Sequence, residues 1–429
     1  MPMQREQHDT FFHSVHLEKD LCKGCINCIK RCPTQAIRVR NGKANITKEF
    51  CIDCGECIRI CSHHAKKAVF DPFDIPGRFE YTVALPAPSL FGQFNNLDDP
   101  AIVLQGLLDI GFDDVYEVSA AAELVSELTR NKIAEGNCPL PIISSACPSV
   151  VRLIRVRFPS LLELMPPLNP PIDVAAAAAA RIAVEKSGLP REKIGIIFIS
   201  PCPAKVTAVY SPLGMEKSEV DAVFAISDVY PRLLQVMKHD ANSAAASKSG
   251  KIGIGWGGSG GEADGLLNDN YLAADGIENV IRVLEDLEDG KLQEGLEFIE
   301  LNACAGGCVG GVLTVENPFI AKTKLKRLKK YMPVALNHLD GVVPDGAYQD
   351  FPIKYEPVYR LGEGIEENIA LMAKAEELMS RLPDLDCGSC GAPTCEAFAK
   401  DVVCGIAKEK ECIHLLRDYL HKLSNEIGD

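Results

Sequence analysis

The sequence predicts a large α/β domain with mainly parallel sheets, preceded by a small α+β domain and followed by a small helical one. Three observations carry this prediction. Eight of the 18 cysteines stand in two four-cysteine runs before Ser62, strand-like and helix-like segments alternate after Pro76, and five cysteines follow Asp386. The expected divisions are residues 1–77, 78–372 and 373–429. At 429 residues and 47% apolar content, the chain is long enough for one large core with smaller satellites.

Charge narrows the function classes. A net charge of −14 argues against nucleic acid and anionic membrane surfaces, which reward clustered Lys and Arg. The opening MPMQREQHDTFFHSV has no long apolar stretch and no twin-arginine pair, which predicts no export signal and a cytoplasmic protein. The most uniformly apolar run, Val174 to Ala180, stops at Arg181, too short to span a bilayer.

Such a cysteine density outside an oxidising compartment points to metal binding or redox chemistry. The first runs read Cys22-x-x-Cys25-x-x-Cys28-x-x-x-Cys32-Pro33 and Cys51-x-x-Cys54-x-x-Cys57-x-x-x-Cys61. Bacterial ferredoxins space their ligands this way, and the fourth cysteine of each run ligates the other cluster. This predicts one [4Fe-4S] cluster on Cys22, Cys25, Cys28 and Cys61, and another on Cys51, Cys54, Cys57 and Cys32. Zinc also accepts Cys-x-x-Cys pairs and is the competing reading. Ser62, not proline, follows Cys61, and His63 and His64 read as solvated loop residues.

In the middle of the chain, Tyr81 to Leu85, Ile194 to Ile199, Ala222 to Ile226 and Ile252 to Trp256 read as short buried strands. The alanine-rich stretch after Asp173 reads as a helix with Asp173 as N-cap, ending near Gly188. Four cysteines follow apolar segments in this region: Ser145-Ala146-Cys147-Pro148, Ser200-Pro201-Cys202-Pro203-Ala204-Lys205 and Asn302-Ala303-Cys304-Ala305-Gly306-Gly307-Cys308. Loops at the carboxyl ends of parallel strands converge in open α/β sheets, so a four-thiolate site is one reading. Buried structural cysteines are the other.

These three loops resemble, in order, the signature segments of [FeFe]-hydrogenase catalytic domains, over roughly residues 78 to 372. Ala87-Pro88-Ser89 and Gly111-Phe112-Asp113-Asp114-Val115-Tyr116 add to the resemblance. It implies an H-cluster: a [4Fe-4S] cubane held by Cys147, Cys202, Cys304 and Cys308, with Cys308 bridging to a diiron unit that carries CO, cyanide and azadithiolate. It also implies that Pro88 and Ser89 wrap the diiron ligands, that Lys205 donates to a cyanide nitrogen, and that a maturation machinery loads the diiron unit. The implied substrates are H2 and protons, with a redox partner such as ferredoxin or a signalling protein.

Departures from the family pattern are as informative. Ala146 stands where the family has its proton-relay cysteine, and a methyl group cannot carry a proton. Ser200 and Asn302 replace methionines, and Ala208 replaces a glutamate. The set resembles the sensory branch of these hydrogenases, which implies slow reaction with H2. A catalytic ferredoxin-linked hydrogenase and a non-enzymatic iron–sulfur scaffold are the competing functions.

The tail Cys387-Gly388-Ser389-Cys390-Gly391-Ala392-Pro393-Thr394-Cys395, with Cys412 beyond it, resembles the small iron–sulfur domain of corrinoid iron–sulfur proteins. It implies a further [4Fe-4S] cluster on Cys387, Cys390, Cys395 and Cys412. Cys404 reads as a core residue and Cys138 is unassigned. Glu363 to Arg381, closed by Pro383, reads as a linking helix. Gly255-x-Gly257-x-x-Gly260 after KIGIGW fits a dinucleotide fingerprint only if a strand precedes it and a helix opens at its third glycine.

Overall fold

The computed structural model describes residues 11–73, 78–237, 246–292, 294–356, 362 and 364–427. The chain divides into two compact units. One comprises the chain to Ser14, Ile52–Gly55 and Val69–Tyr355; the other comprises Val15–Cys51, Glu56–Ala68 and Glu356–Asp429.

The first unit holds two parallel sheets. In the four-stranded one, Tyr81–Pro86 lies between Asp114–Val115 and Ile194–Ser200, and Ala222–Ala225 closes the far edge. Every residue of Ile194–Ser200 is buried, the continuous apolar run of a strand covered on both faces. Ala84, Ile197, Ile199 and Phe224 meet Leu90, Val103, Leu107 and Leu325 on one side. The helix Pro171–Ser187 packs on the same strands, and its alanines let it approach closely. Fully burying a side chain such as Leu107 or Phe224 contributes about 1.5–3 kcal/mol. The other sheet runs Tyr271–Asp275, Phe298–Asn302, Ile142–Ile143 against the helices Pro148–Arg157 and Ile277–Glu288.

Two expectations are corrected here. The Pro171–Ser187 helix starts at a proline, which fits the first helical position, so Asp173 stands in its first turn rather than at its N-cap. Residues Lys251–Gly255 form a helical turn, not a strand. The backbone at Gly253 lies so near Ser119 that a Cβ there would come within 2.1 Å of its carbonyl oxygen, and both Ile252 and Ile254 are buried. Without a preceding strand, the dinucleotide reading of Gly255 to Gly260 falls.

In the second unit Val15–Leu17 pairs antiparallel with Lys66–Ala68, and Ile37–Arg40 with Lys43–Ile46. Cys22, Cys28 and Cys57 are buried in their shared core, with Cys32, Cys51 and Cys61 packed against it. The tail contributes helices Ile365–Arg381, Cys395–Val403 and Ile413–Ile427; Glu363 lies outside the described residues. Cys404 is exposed at the end of Cys395–Val403, not in the core, because the helix stops before turning its thiol inward. No helix among the described residues is long and apolar enough to cross a membrane.

Candidate active site

Four loops leave the carboxyl ends of parallel strands and line one cavity. Ala87, Pro88 and Ser89 follow Tyr81–Pro86, Ala146 follows Ile142–Ile143, Pro201 and Lys205 follow Ile194–Ser200, and Cys308 follows Phe298–Asn302. Trp256, Glu262, Glu300 and Asn302 complete the cavity's lining.

Cys147 and Cys202 occupy the N-caps of Pro148–Arg157 and Pro203–Tyr210, where helix dipoles favour negative charge. Desolvation pushes the Cys202 thiol up to about 12 against the pull of Lys205, with Cys308 adding to the rise. Burial raises Cys308 too, again opposed by Lys205 and reinforced by Cys147. A thiol held as high as that of Cys202 stays protonated unless a metal takes the proton's place. Cys304 is half-buried on the Cys308 loop, its carbonyl accepting from the Gly307 amide at 3.1 Å. No disulfide joins the cysteines of the described residues. This donor set fits an iron–sulfur cluster.

Lys205 donates from Nζ to the Ala146 carbonyl at 3.1 Å. Desolvation alone would lower its ammonium, but Cys308, Cys202, Cys147 and Asp173 outweigh it and hold the charge above its ordinary value. Ser89 is fully buried on the cavity wall and its Oγ has no partner among the described residues, an orphan donor that a bound group would satisfy. Ser200 departs from the expectation: it does not line the cavity. Its hydroxyl donates to the Cys202 carbonyl at 3.0 Å and accepts from the Cys202 amide at 3.3 Å, so it shapes the cysteine loop. Ala208 lines a separate cavity with Ser145 and Asp173. Burial pushes the Asp173 carboxyl up to about 7, opposed by Lys205.

Two carboxyls that the sequence reading did not single out dominate the polar wall. Glu300 accepts from the amides of Gly260 and Ala263 at 2.9 Å each and from Asn302 Nδ2 at 2.6 Å. Among the described residues, Glu262 accepts from Ser144 Oγ alone, at 2.6 Å. Burial, then the charge of Glu300, pushes Glu262 up to about 8, so Glu262 keeps its proton at neutral pH. Ser144 Oγ in turn accepts from the Ala146 amide at 3.2 Å. A protonated acid thus lines the same cavity as Ala146.

Beyond this cavity, Cys54 packs against Ile143, Val150 and Leu301 in the same apolar cluster as Cys147. In the second unit, Cys387, Cys390, Cys395 and Cys412 line one small cavity.

A family model described as iron only hydrogenase large subunit, C-terminal domain, matches residues 80–264 and 258–312. A 4Fe-4S dicluster domain model matches residues 14–62, and an Fe-S cluster model matches residues 382–414. The NADP-reducing hydrogenase subunit HndD of Solidesulfovibrio fructosivorans is 22% identical over 349 residues, 69% of this chain and 56% of that protein. Iron hydrogenase 1 of Clostridium pasteurianum is 24% identical over 291 residues, 56% of this chain and 50% of that protein. The chain therefore spans about half the length of these relatives. A variant of the [FeFe]-hydrogenase HydA1 from Chlamydomonas reinhardtii aligns with a TM-score of 0.49 at 14% identity, covering 67% of this chain and 97% of that one. With the hydrogenase model matched across more than half of its length, beside a dicluster domain, this chain belongs to the iron only hydrogenase large-subunit family and is an iron–sulfur protein of that type.

Proposed function

We propose that the chain reacts with H2 at an H-cluster held in this cavity. Cys147, Cys202, Cys304 and Cys308 would hold the cubane, Cys308 would bridge to the diiron unit, and Lys205, Pro88 and Ser89 would enclose the diatomic ligands. When bound, the group supplies reversible splitting of H2 into protons and electrons. The observation that carries the reading is one cavity lined at once by Cys308, a half-buried lysine cation, an orphan serine hydroxyl and a protonated acid.

The remaining steps belong to the chain's own residues. Lys205 fixes positive charge beside the thiolates, where low dielectric strengthens it. Glu262, protonated and reached through Ser144, is the proton carrier that stands in for the absent cysteine, and Glu300 holds its carboxylate in place as the next acceptor. Residues 1–77, 78–372 and 373–429 act as ferredoxin-like, H-cluster and tail iron–sulfur domains of a cytoplasmic protein. The two N-terminal clusters and the tail cluster carry electrons to a partner.

Ala146 supports a slow, sensory role, with a signalling protein as partner. The Glu262–Ser144 pair favours a second reading, a working hydrogenase that exchanges electrons with ferredoxin. Proton delivery by a placed side chain contributes ~10²–10⁴ in rate, so the two readings differ measurably. Ala146→Cys adds a thiol without the rest of a cysteine relay, and the expected result is a gain of less than about tenfold with iron content unchanged. Hydrogen evolution and oxidation under identical maturation check this; wild-type turnover equal to that of fast family members would remove the sensory reading. Metal analysis of fully matured protein is expected to give about 18 iron atoms, whereas zinc would overturn the cluster assignment.

A further inference from the structure

The two four-cysteine runs fold as near copies, and one difference between them is a buried charge. In the first repeat the Ala36 amide donates to Cys32 Sγ at 3.2 Å, and in the second the Ala65 amide donates to Cys61 Sγ at 3.3 Å. The residue before each alanine takes a left-handed backbone, with φ 53° at Gln35 and 49° at His64. The residue after each alanine points into the cysteine-lined core. It is Ile37 in one repeat, 2% exposed, and Lys66 in the other, 3% exposed.

Lys66 Nζ has neither a hydrogen-bond nor an ion-pair partner among the described residues. An isolated buried ammonium is strongly disfavoured unless a negative charge faces it. Ala65, the residue before Lys66, donates to Cys61 Sγ and shares one core with Cys22 and Cys28, with Cys61 packed against that core. These cysteines belong to the same four-cysteine set, Cys22, Cys25, Cys28 and Cys61, whereas Ile37 follows Cys32 of the other set.

We propose that Lys66 is the counter-charge of the first N-terminal cluster, raising its reduction potential above that of the second and making it the electron well of the N-terminal pair. A cubane on four thiolates is anionic and gains one more negative charge on reduction, so a cation beside it stabilises the reduced form more. Lys66 is a positioning charge, not a catalytic residue.

The tail is fastened directly to the N-terminal cysteine fold. The Val39 amide donates to the Gly391 carbonyl at 2.8 Å, Arg40 Nη1 to the Cys390 carbonyl at 2.6 Å, and Lys30 Nζ to the Pro393 carbonyl at 2.9 Å. Asp401 clamps Arg38 Nε and Arg40 Nη2 at 2.7 Å each. The fit is close enough that a Cβ on Gly391 would lie 1.9 Å from the Val39 oxygen. The tail's cysteine loop is thus fastened to the strand that follows the first run, while Cys54 of the second set shares a core with Cys147.

The inference rests on the cubane assignment proposed above but not on hydrogen chemistry. Its test is anaerobic potentiometric EPR on the full chain as wild type, Lys66→Met and Lys66→Arg, with iron analysis of each sample and Cys25→Ser to identify the first-cluster signal. In Lys66→Met the ratio of reduced to oxidised first cluster at a fixed potential is expected to fall about tenfold, about 59 mV for one electron. Lys66→Arg holds the wild-type ratio, and the other clusters do not move. Loss of the first cluster in Lys66→Met with full iron in Lys66→Arg supports the same conclusion, since arginine keeps the charge. An unchanged ratio in Lys66→Met at full iron, or loss of the cluster in both variants, overturns it. Zinc in the wild type would overturn the cubane assignment and the proposal with it.

Discussion

Hydrogen turnover is expected to fall by about 10²–10⁴-fold in Glu262→Gln, because a glutamine keeps the shape and the Ser144 hydrogen bond but cannot pass a proton. The argument rests on how differently the two buried acids are supported. Glu300 has three donors on its carboxylate, whereas Glu262 has one. Burial raises both carboxyls, and at Glu262, which has fewer donors among the described residues, burial together with Glu300 pushes the value up to about 8. The sign follows directly. Below about pH 8 Glu262 is a protonated donor; above it the residue is ionised and cannot deliver. Hydrogen evolution by the wild type is therefore expected to decline as pH rises through about 8, and Glu262→Gln is expected to lose that inflection. Stability moves in the same direction. A carboxyl whose folded value is raised holds its proton in the folded state when the unfolded chain has released it, so stability falls as pH rises from the ordinary carboxylate range towards that point. Gas-phase hydrogen measurements and thermal melts across this range check both. Wild-type rates in Glu262→Gln would show that protons reach the cavity by another path.

Lys205→Met is expected to remove the diiron unit while leaving the cubane. The methionine fills comparable space but leaves Cys147, Cys202 and Cys308 facing no cation. It also leaves the Ala146 carbonyl without its 3.1 Å donor. Iron content should fall by about two atoms per chain, and any residual turnover by at least about 10²-fold, the usual effect of losing one placed donor at a reacting centre. Iron analysis with infrared spectroscopy of the matured variant measures this. Retention of both the diiron bands and the rate would mean that Lys205 serves the empty loop fold rather than the bound group.

Much of the site was legible because cysteine spacing is local. Two runs of four thiols can be recognised without knowing how the chain folds, and so can the Cys202 to Lys205 segment. The strand Ile194–Ser200 was equally legible, since seven buried residues in a row leave little choice. Ile252 to Trp256 was not, because its Ile-Gly alternation has the period of a strand although the segment folds as a helical turn. There the decision lay with Ser119, a residue more than a hundred positions away. The acid pair was hidden for the same reason. Glu262 lies in the short helix Gly261–Asp264 and Glu300 in a separate strand, and only the fold brings them to one wall. A signal was present nonetheless: a glutamate in the middle of Phe298–Asn302, an otherwise buried apolar strand, is costly unless it is partnered. Ser200 shows the opposite limit. Its place in a signature segment suggested contact with the bound group, whereas its hydroxyl is taken up by the backbone of Cys202.

The most direct test of the central claim is the infrared spectrum of the full chain produced with the diiron maturation machinery. An H-cluster enclosed by Lys205, Pro88, Ser89 and Cys308 predicts sharp CO and cyanide bands that shift when H2 is admitted and return when it is removed. A matured protein with its cubanes loaded but without any CO or cyanide band would contradict the account and leave an iron–sulfur scaffold in its place.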